Sequence, residues 1–152
     1  MRTRLLFTAI MALSLISCAK IVPNITPGNE ESDYTGTVTV IYKGEPFDNE
    51  NIKLTFTPDA EAGTASIKLH HIRFVPQMPV TIDVTVPGIN IDNSTGKTML
   101  SCEKCIPLAL GGEFPKYTVT EFKGEIVGDE LTFSLNFGEY PTSFKGTING
   151  GK

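Results

Sequence analysis

The residues best suited to chemistry are two cysteines separated by two residues, Cys102 and Cys105, and the adjacent histidines His70 and His71. A cysteine pair with this spacing can form a disulfide, a redox-active site or half of a zinc site. A redox-active pair requires a helix start, whereas residues 106–112 offer at most one helical turn before Gly-Gly. A structural zinc site requires four ligands, and the chain contains a single pair of this kind. We therefore predict a disulfide between Cys102 and Cys105 that restrains a local loop.

The two histidines could supply metal ligands or a catalytic base. Adjacent residues of a strand point to opposite faces, so we expect at most one of the two in any site. The apolar alternation changes phase between Leu69 and Ile72, which predicts a bulge at the histidines. No Gly-x-Ser-x-Gly motif accompanies them. The sequence thus predicts a non-enzymatic protein without metal or cofactor.

The N-terminal segment is typical of an export signal. Arg2 and Arg4 precede an uncharged apolar stretch over residues 5–16, which is too short to span a bilayer. The following Leu15-Ile16-Ser17-Cys18 resembles the lipobox of bacterial lipoproteins. That resemblance implies cleavage after residue 17 and attachment of lipid to Cys18.

Lipid on Cys18 predicts that the mature protein has a membrane as its first partner, because two or three acyl chains make release slow. Surface-exposed lipoproteins of some anaerobic gut bacteria carry acidic residues after a Lys that follows the cysteine. Here Lys20 is followed by Ile21-Val22-Pro23. We therefore expect a bacterial cell-envelope lipoprotein of the outer membrane that faces the periplasm.

Three segments follow from these observations: a signal peptide over 1–17, a lipidated cysteine with a flexible tether over 18–33, and one domain over 34–152. The tether is interrupted by Pro23, Pro27 and Gly28 and has no apolar period. The net charge of the chain is −4, and loss of the two arginines of the signal makes it more negative by two. This acidity and the lack of a basic cluster argue against a nucleic-acid partner.

The domain alternates apolar and polar residues with a period of two, as in strands with one buried face. The alternation is clear around residues 36–42, 52–57, 66–70, 80–86 and 131–137, and weaker at 98–101, 117–127 and 143–148. A Gly128-Asp129 pair between two such stretches predicts a hairpin turn. The sequence therefore predicts an all-β fold, a single antiparallel up-and-down barrel of about eight strands. A two-sheet β-sandwich is the alternative.

Three stretches resemble the calycin-like, or lipocalin-like, β-barrel domain of secreted and lipid-anchored proteins of gut bacteria. They are the opening residues 34–40, the hairpin of residues 128–133 and the closing residues 144–148. The resemblance covers residues 34 to about 149 and implies an eight-stranded barrel. It implies no settled activity and no catalytic residues.

Two functions remain open for such a barrel. The first is binding of a small apolar or amphipathic ligand at one mouth, near the long Leu-rich stretch over residues 102–116. The residues predicted to line this site, the last two as a lid, are Val40, Tyr42, Leu54, Phe56, Leu69, Ile82, Val84, Phe133, Leu135, Phe137, Leu108 and Leu110. The second is an interaction protein with a filled barrel that contacts an envelope protein or glycan through its outer face or loops. The sequence indicates no oligomeric state.

Overall fold

The computed structural model describes residues 30–149. The signal peptide, Cys18 and most of the predicted tether lie outside the described residues. The strands are β1 (Ser32–Tyr42), β2 (Glu45–Asp59), β3 (Thr64–Ile72), β4 (Ile82–Asp92), β5 (Thr98–Cys105), β6 (Leu108–Ala109), β7 (Gly112–Glu113), β8 (Val119–Val127), β9 (Glu130–Phe137) and β10 (Tyr140–Ile148). A short 3-10 helix, Pro115–Tyr117, precedes β8, and no α-helix occurs between residues 30 and 149. None of the described segments is a helix long and apolar enough to cross a bilayer.

The strands form one closed antiparallel barrel, as predicted. Eight of them follow each other around the wall in the order β1, β2, β3, β4, β5, β8, β9 and β10, and β10 pairs with β1 to complete the ring. The pairing of β3 with β4 excludes the β-sandwich alternative, because it joins what would be two separate sheet edges. β1 begins at Ser32, so the last two residues of the predicted tether belong to this strand.

Period-two alternation builds the core. Inward-facing side chains such as Val40, Leu54, Ile67, Leu69 and Phe137 are fully buried. The outward-facing residues between them are mostly Thr, Ser, Lys and Glu. Burial of one face of each of the eight wall strands fixes the register, since a shift by one residue would expose the whole apolar set.

Bulges interrupt the alternation where a residue takes a left-handed backbone conformation. They include Asn51 in β2, His71 in β3 and Glu121 in β8, with φ of 57°, 58° and 53°. The bulge at His71 confirms the phase change read from the sequence. Each bulge adds a residue to one strand and bends it, which helps the sheet to close.

The two ends of the barrel differ in their connections. We call the end that holds Ser32 and Ile148 the near end, and the opposite end the far end. The Gly128-Asp129 turn, confirmed as a two-residue hairpin turn, lies at the near end. The far end carries the longer connections, among them the β3–β4 loop and the segment between β5 and β8.

Candidate functional site

Side chains fill the barrel interior at the positions that the sequence assigned to ligand binding. Eight of those positions are at most 6% exposed: Val40, Leu54, Phe56, Leu69, Val84, Phe133, Leu135 and Phe137. Tyr42 and Ile82 are half-buried. Phe133 stacks between Phe122 and Phe144, with ring centroids 5.0 and 5.3 Å apart. These rings occupy the space in which a small barrel would otherwise hold a ligand.

Aromatic rings cover the far end. Phe74 from the β3–β4 loop is 1% exposed, stacks on Tyr117 at 4.6 Å and meets Phe137 edge-on at 5.0 Å. Tyr117 also stacks on Phe114 at 5.1 Å and on Tyr140 at 6.0 Å. Segments distant in sequence therefore contribute to one aromatic plug.

The segment between β5 and β8 is more ordered than a plain loop. Its strands β6 and β7 form a small hairpin, and β6 extends the sheet beside β4 through the pairs Val84–Ala109 and Thr85–Leu108. Leu108 and Leu110, the predicted lid residues, are 40% and 76% exposed. The aromatic plug, rather than these leucines, covers the far mouth.

The predicted disulfide is present between Cys102 and Cys105, whose Cα atoms lie 6.4 Å apart. Both residues are buried in the C-terminal half of β5, where Cys102 lies opposite Phe122 and Cys105 opposite Val119 of β8. The Sγ atom of Cys105 lies 3.8 Å from the carbonyl oxygen of Gly88, where β4 bulges. The bond therefore stabilises the place at which β4 leaves β5 and pairs with β6.

His70 and His71 both face the carboxylate of Asp83, although adjacent strand residues ordinarily point apart. The left-handed His71 backbone turns its ring towards β4, so each Nδ1 atom lies 3.8 Å from an oxygen of Asp83. The expectation that at most one histidine could join a site is therefore wrong, because the bulge cancels the alternation on which it rested. The backbone N–H of His71 donates to Asp83 at 2.9 Å and holds the pKa of Asp83 below its ordinary value.

A hydrogen-bond chain fixes the role of His70. The Thr55 hydroxyl donates to Asp33 at 2.8 Å, so the oxygen of Thr55 accepts from Nε2 of His70 at 3.0 Å. The histidine is a donor to the hydroxyl rather than its base, and this arrangement does not activate Thr55 as a nucleophile. Burial lowers the pKa of His70, and the charge of Asp83 partly opposes that effect.

A concave surface of about 520 Å³ lies on the outside of the barrel, across β1, β10, β9 and β8. We call it the outer groove. Its lining is Thr37, Thr39, Met99, Lys123, Gly124, Glu125, Thr132, Phe133, Ser134, Ser143, Phe144 and Lys145. Small hydroxyl side chains form the floor, so the surface lies low between longer flanking side chains.

Strand register brings these residues together in two cross-strand rows. In one row, Lys123 lies opposite Ser134, Ser134 opposite Ser143, and Ser143 opposite Thr39. In the next row, the order is Glu125, Thr132, Lys145 and Thr37. Neighbouring strands are about 4.8 Å apart, so each row extends about 14 Å around the barrel.

The groove offers free polar groups. The hydroxyls of Thr37, Thr132, Ser134 and Ser143 make no hydrogen bond to any part of the chain between residues 30 and 149. Each free hydroxyl can donate one hydrogen bond and accept others. A rigid set of such groups suits a ligand that itself carries many hydroxyls.

The groove continues towards the far end. A smaller hollow of about 250 Å³ shares Thr39, Ser134 and Ser143 with it. A third concave site, of about 520 Å³, adjoins that hollow at Ile41 and Pro141. Its walls include Tyr42 and Tyr140, whose ring centroids are 6.3 Å apart. The three sites share lining residues in succession and form one track from the outer face to the rim of the far end.

The sequence placed the polar groove residues of β1 and β9 on the outer face, but it did not bring them together in one site, and it placed Phe133 inside the barrel. Thr37, Thr39, Thr132 and Ser134 are the polar members of strands recognised from their alternation. Which outer faces are neighbours depends on closure of the barrel, and that follows from pairing rather than from local sequence. A run of short hydroxyl residues on the polar side of several strands was the available signal.

Within residues 30–149, no three His, Cys, Asp or Glu side chains are grouped so that they could hold a metal ion. In comparisons with known proteins, the chain matches no protein-family model, no curated protein and no solved structure.

Proposed function

We propose that this protein is a lipid-anchored module of the bacterial cell envelope that binds an extended polar ligand in the outer groove. One observation carries the binding part of this proposal: the interior is packed with side chains, whereas free hydroxyl groups line a concave surface on the outer wall. Of the two functions left open by the sequence, this geometry favours the outer face over the barrel mouth.

The anchor part of the proposal depends on the lipobox-like residues that end at Cys18. Their resemblance to bacterial lipoproteins and the calycin-like barrel pattern agree with an envelope address. A closed barrel suits this role, because it presents a rigid wall without a long exposed strand edge.

The anchor is tested by growing cells that express the full chain with radiolabelled palmitate. We expect label in the wild-type protein and none in the Cys18→Ala variant. Absence of label from the wild-type protein would remove the assigned address.

The groove is tested by sedimentation of the purified full chain with isolated envelope fragments. Ser134→Trp places a large ring in the middle of the groove and is expected to reduce the bound fraction. Ser66→Trp, on the outer face of β3 in the opposite wall, is the matched control and should bind like the wild type. Equal binding by the wild type and both variants would show that the groove is not the site.

A further inference from the structure

We propose that the ligand of the outer groove is an acidic oligosaccharide chain, whose negative groups are bound by Lys123 and Lys145 and whose hydroxyls are bound by the groove floor. This inference deepens the proposed function and rests on it. It assigns a chemical class to a ligand that the groove shape alone leaves open.

The two lysines are placed to act together. Lys123 lies on β8 and Lys145 on β10, on either side of β9, and their partners on β9 are two residues apart, so their backbones are separated by about 12 Å. A lysine side chain is long and carries its charge on a flexible stem. Both ammonium groups can therefore approach one acidic group held above Thr132 and Ser134.

Neither lysine has an acidic partner between residues 30 and 149, where the ion pairs involve Lys53, Lys68, Lys97 and the two histidines. The carboxylate of Glu125, which also lines the groove, is paired with Lys97 at 2.9 Å. The groove thus presents two uncompensated positive charges in a chain whose net charge is −4. A local positive site on an acidic protein selects for a negative ligand at that site.

Two further carboxylates, Asp48 and Glu121, lie beside the groove on the side towards the far end, where each accepts a hydrogen bond from a neutral side chain. Asp48 accepts a hydrogen bond from Thr39 at 2.6 Å, and Glu121 accepts one from Asn136 at 3.0 Å. Because Glu125 is paired with Lys97, the part of the groove around Lys145 carries a net positive charge. A ligand with acidic groups would therefore place them over Lys123 and Lys145 and direct neutral hydroxyls towards the far end.

The floor distinguishes an oligosaccharide from a simple anion. Four free hydroxyls occupy two adjacent rows, and sugar hydroxyls both donate and accept hydrogen bonds as these do. A lone phosphate or a lipid headgroup would use the lysines and leave most of the floor unoccupied. The length of the track from the lysines to Tyr42 and Tyr140 also suits a chain rather than a single group.

The test is calorimetric titration of the full chain with defined probes. Sulfated heparin oligosaccharides and oligogalacturonates are the acidic probes, maltohexaose is the neutral probe, and phosphatidylglycerol vesicles represent a lipid headgroup. We expect at least one acidic oligosaccharide to bind, with an affinity that falls as salt is raised.

Variants locate the site. Lys123→Gln and Lys145→Gln are each expected to lower the affinity by about threefold or more, as for loss of an exposed ion pair. Lys104→Gln, on β5 outside the groove, removes the same charge and should bind like the wild type. An equal loss for Lys104→Gln would overturn the assignment to the groove.

The remaining outcomes separate this inference from the function on which it rests. Failure of both acidic probes to bind, equal binding of maltohexaose, or binding only to the vesicles would overturn the acidic oligosaccharide. The groove itself would still stand if Ser134→Trp reduced sedimentation with envelope fragments and Ser66→Trp did not. If Ser134→Trp bound both the envelope fragments in sedimentation and the acidic oligosaccharides in calorimetry as the wild type does, both proposals would fail.

Discussion

Single residues set the close packing of the barrel wall, and Gly124 shows this most directly. A Cβ atom at Gly124 would lie 2.5 Å from Cβ of Phe133 and 2.7 Å from the carbonyl oxygen of Thr132. Because these neighbours belong to the paired strand and the core, Gly124→Ala is expected to destabilise the fold by about 1–3 kcal/mol. Urea denaturation measures this loss.

Gly112→Ala is the matched control for that change. Gly112 has no atom within 4 Å of an added Cβ and no left-handed backbone. We expect its free energy of unfolding to change by less than about 0.5 kcal/mol. Similar losses for the two variants would show that steric contact is not the cause.

His70 makes the stability depend on pH. Burial lowers its pKa in the folded protein, so the unfolded chain binds a proton first as the pH falls below about 6.5. The contribution of His70 is fully present above that pH and is lost as the pH falls towards the folded-state pKa. Urea midpoints are expected to rise with pH across this window, and His70→Gln should reduce the slope. An unchanged slope in His70→Gln would assign the effect to other groups.

Among the elements, the β6–β7 hairpin contains an unfavourable residue at its turn. Leu110 and Gly111 have φ of 53° and 86°, as in the two-residue turns that favour Asn-Gly. Leucine in this conformation is strained, and its side chain is 76% exposed. Leu110→Asn is therefore expected to raise the free energy of unfolding by about 0.5–1 kcal/mol, measured by urea denaturation. A loss of stability would indicate that Leu110 makes contacts worth more than the strain.

The disulfide between Cys102 and Cys105 also contributes to the stability of these elements. It closes a very short loop, so removal by the double change Cys102→Ser and Cys105→Ser is expected to cost about 1–2 kcal/mol. The β-sheet circular dichroism should be retained while the urea midpoint falls. An unchanged midpoint would show that the bond does not support the junction between β4, β5 and β6.

The strands and turns also show which parts of the fold can be predicted from the sequence. Period-two alternation predicted the wall strands, its change of phase predicted the bulge at His71, and the Gly128-Asp129 pair predicted the hairpin turn, because each depends on neighbouring residues. The strands β6 and β7 were missed, since two-residue strands are too short to show a period. The meeting of His70, His71 and Asp83 was missed because a bulge reverses the expected side-chain direction.

The candidate site was less accessible from sequence than the fold. Lys123 and Lys145 are separated by β9 in space and by many residues in the chain, and only their shared pairing with that strand brings them to one groove. The aromatic plug has the same origin, because Phe74 and Tyr117 come from separate connections. Long-range register, rather than composition, determines both.

For the whole molecule, filling of the interior leads to a prediction about bound lipids. Organic extraction of the purified protein, followed by mass spectrometry, is expected to release no apolar molecule in stoichiometric amount. The rings of Phe122, Phe133 and Phe144 already occupy the centre. A stoichiometric lipid in the extract would restore the barrel mouth as the binding site.

The pairing of β1 with β10 has a mechanical consequence. The two strands are antiparallel neighbours, and the backbone N–H of Asn149 donates to the carbonyl oxygen of Asp33 at 2.8 Å, so both ends of the ring meet at one point. Tension applied between residues 30 and 149 would load this seam one hydrogen-bonded pair at a time, as in opening a zipper, instead of shearing all pairs together. The barrel is therefore expected to unfold at low force when it is stretched between residues 30 and 149. It should resist a higher force when the two pulling points lie at opposite ends of the β1–β10 pair, because all the hydrogen bonds of the pair are then loaded together.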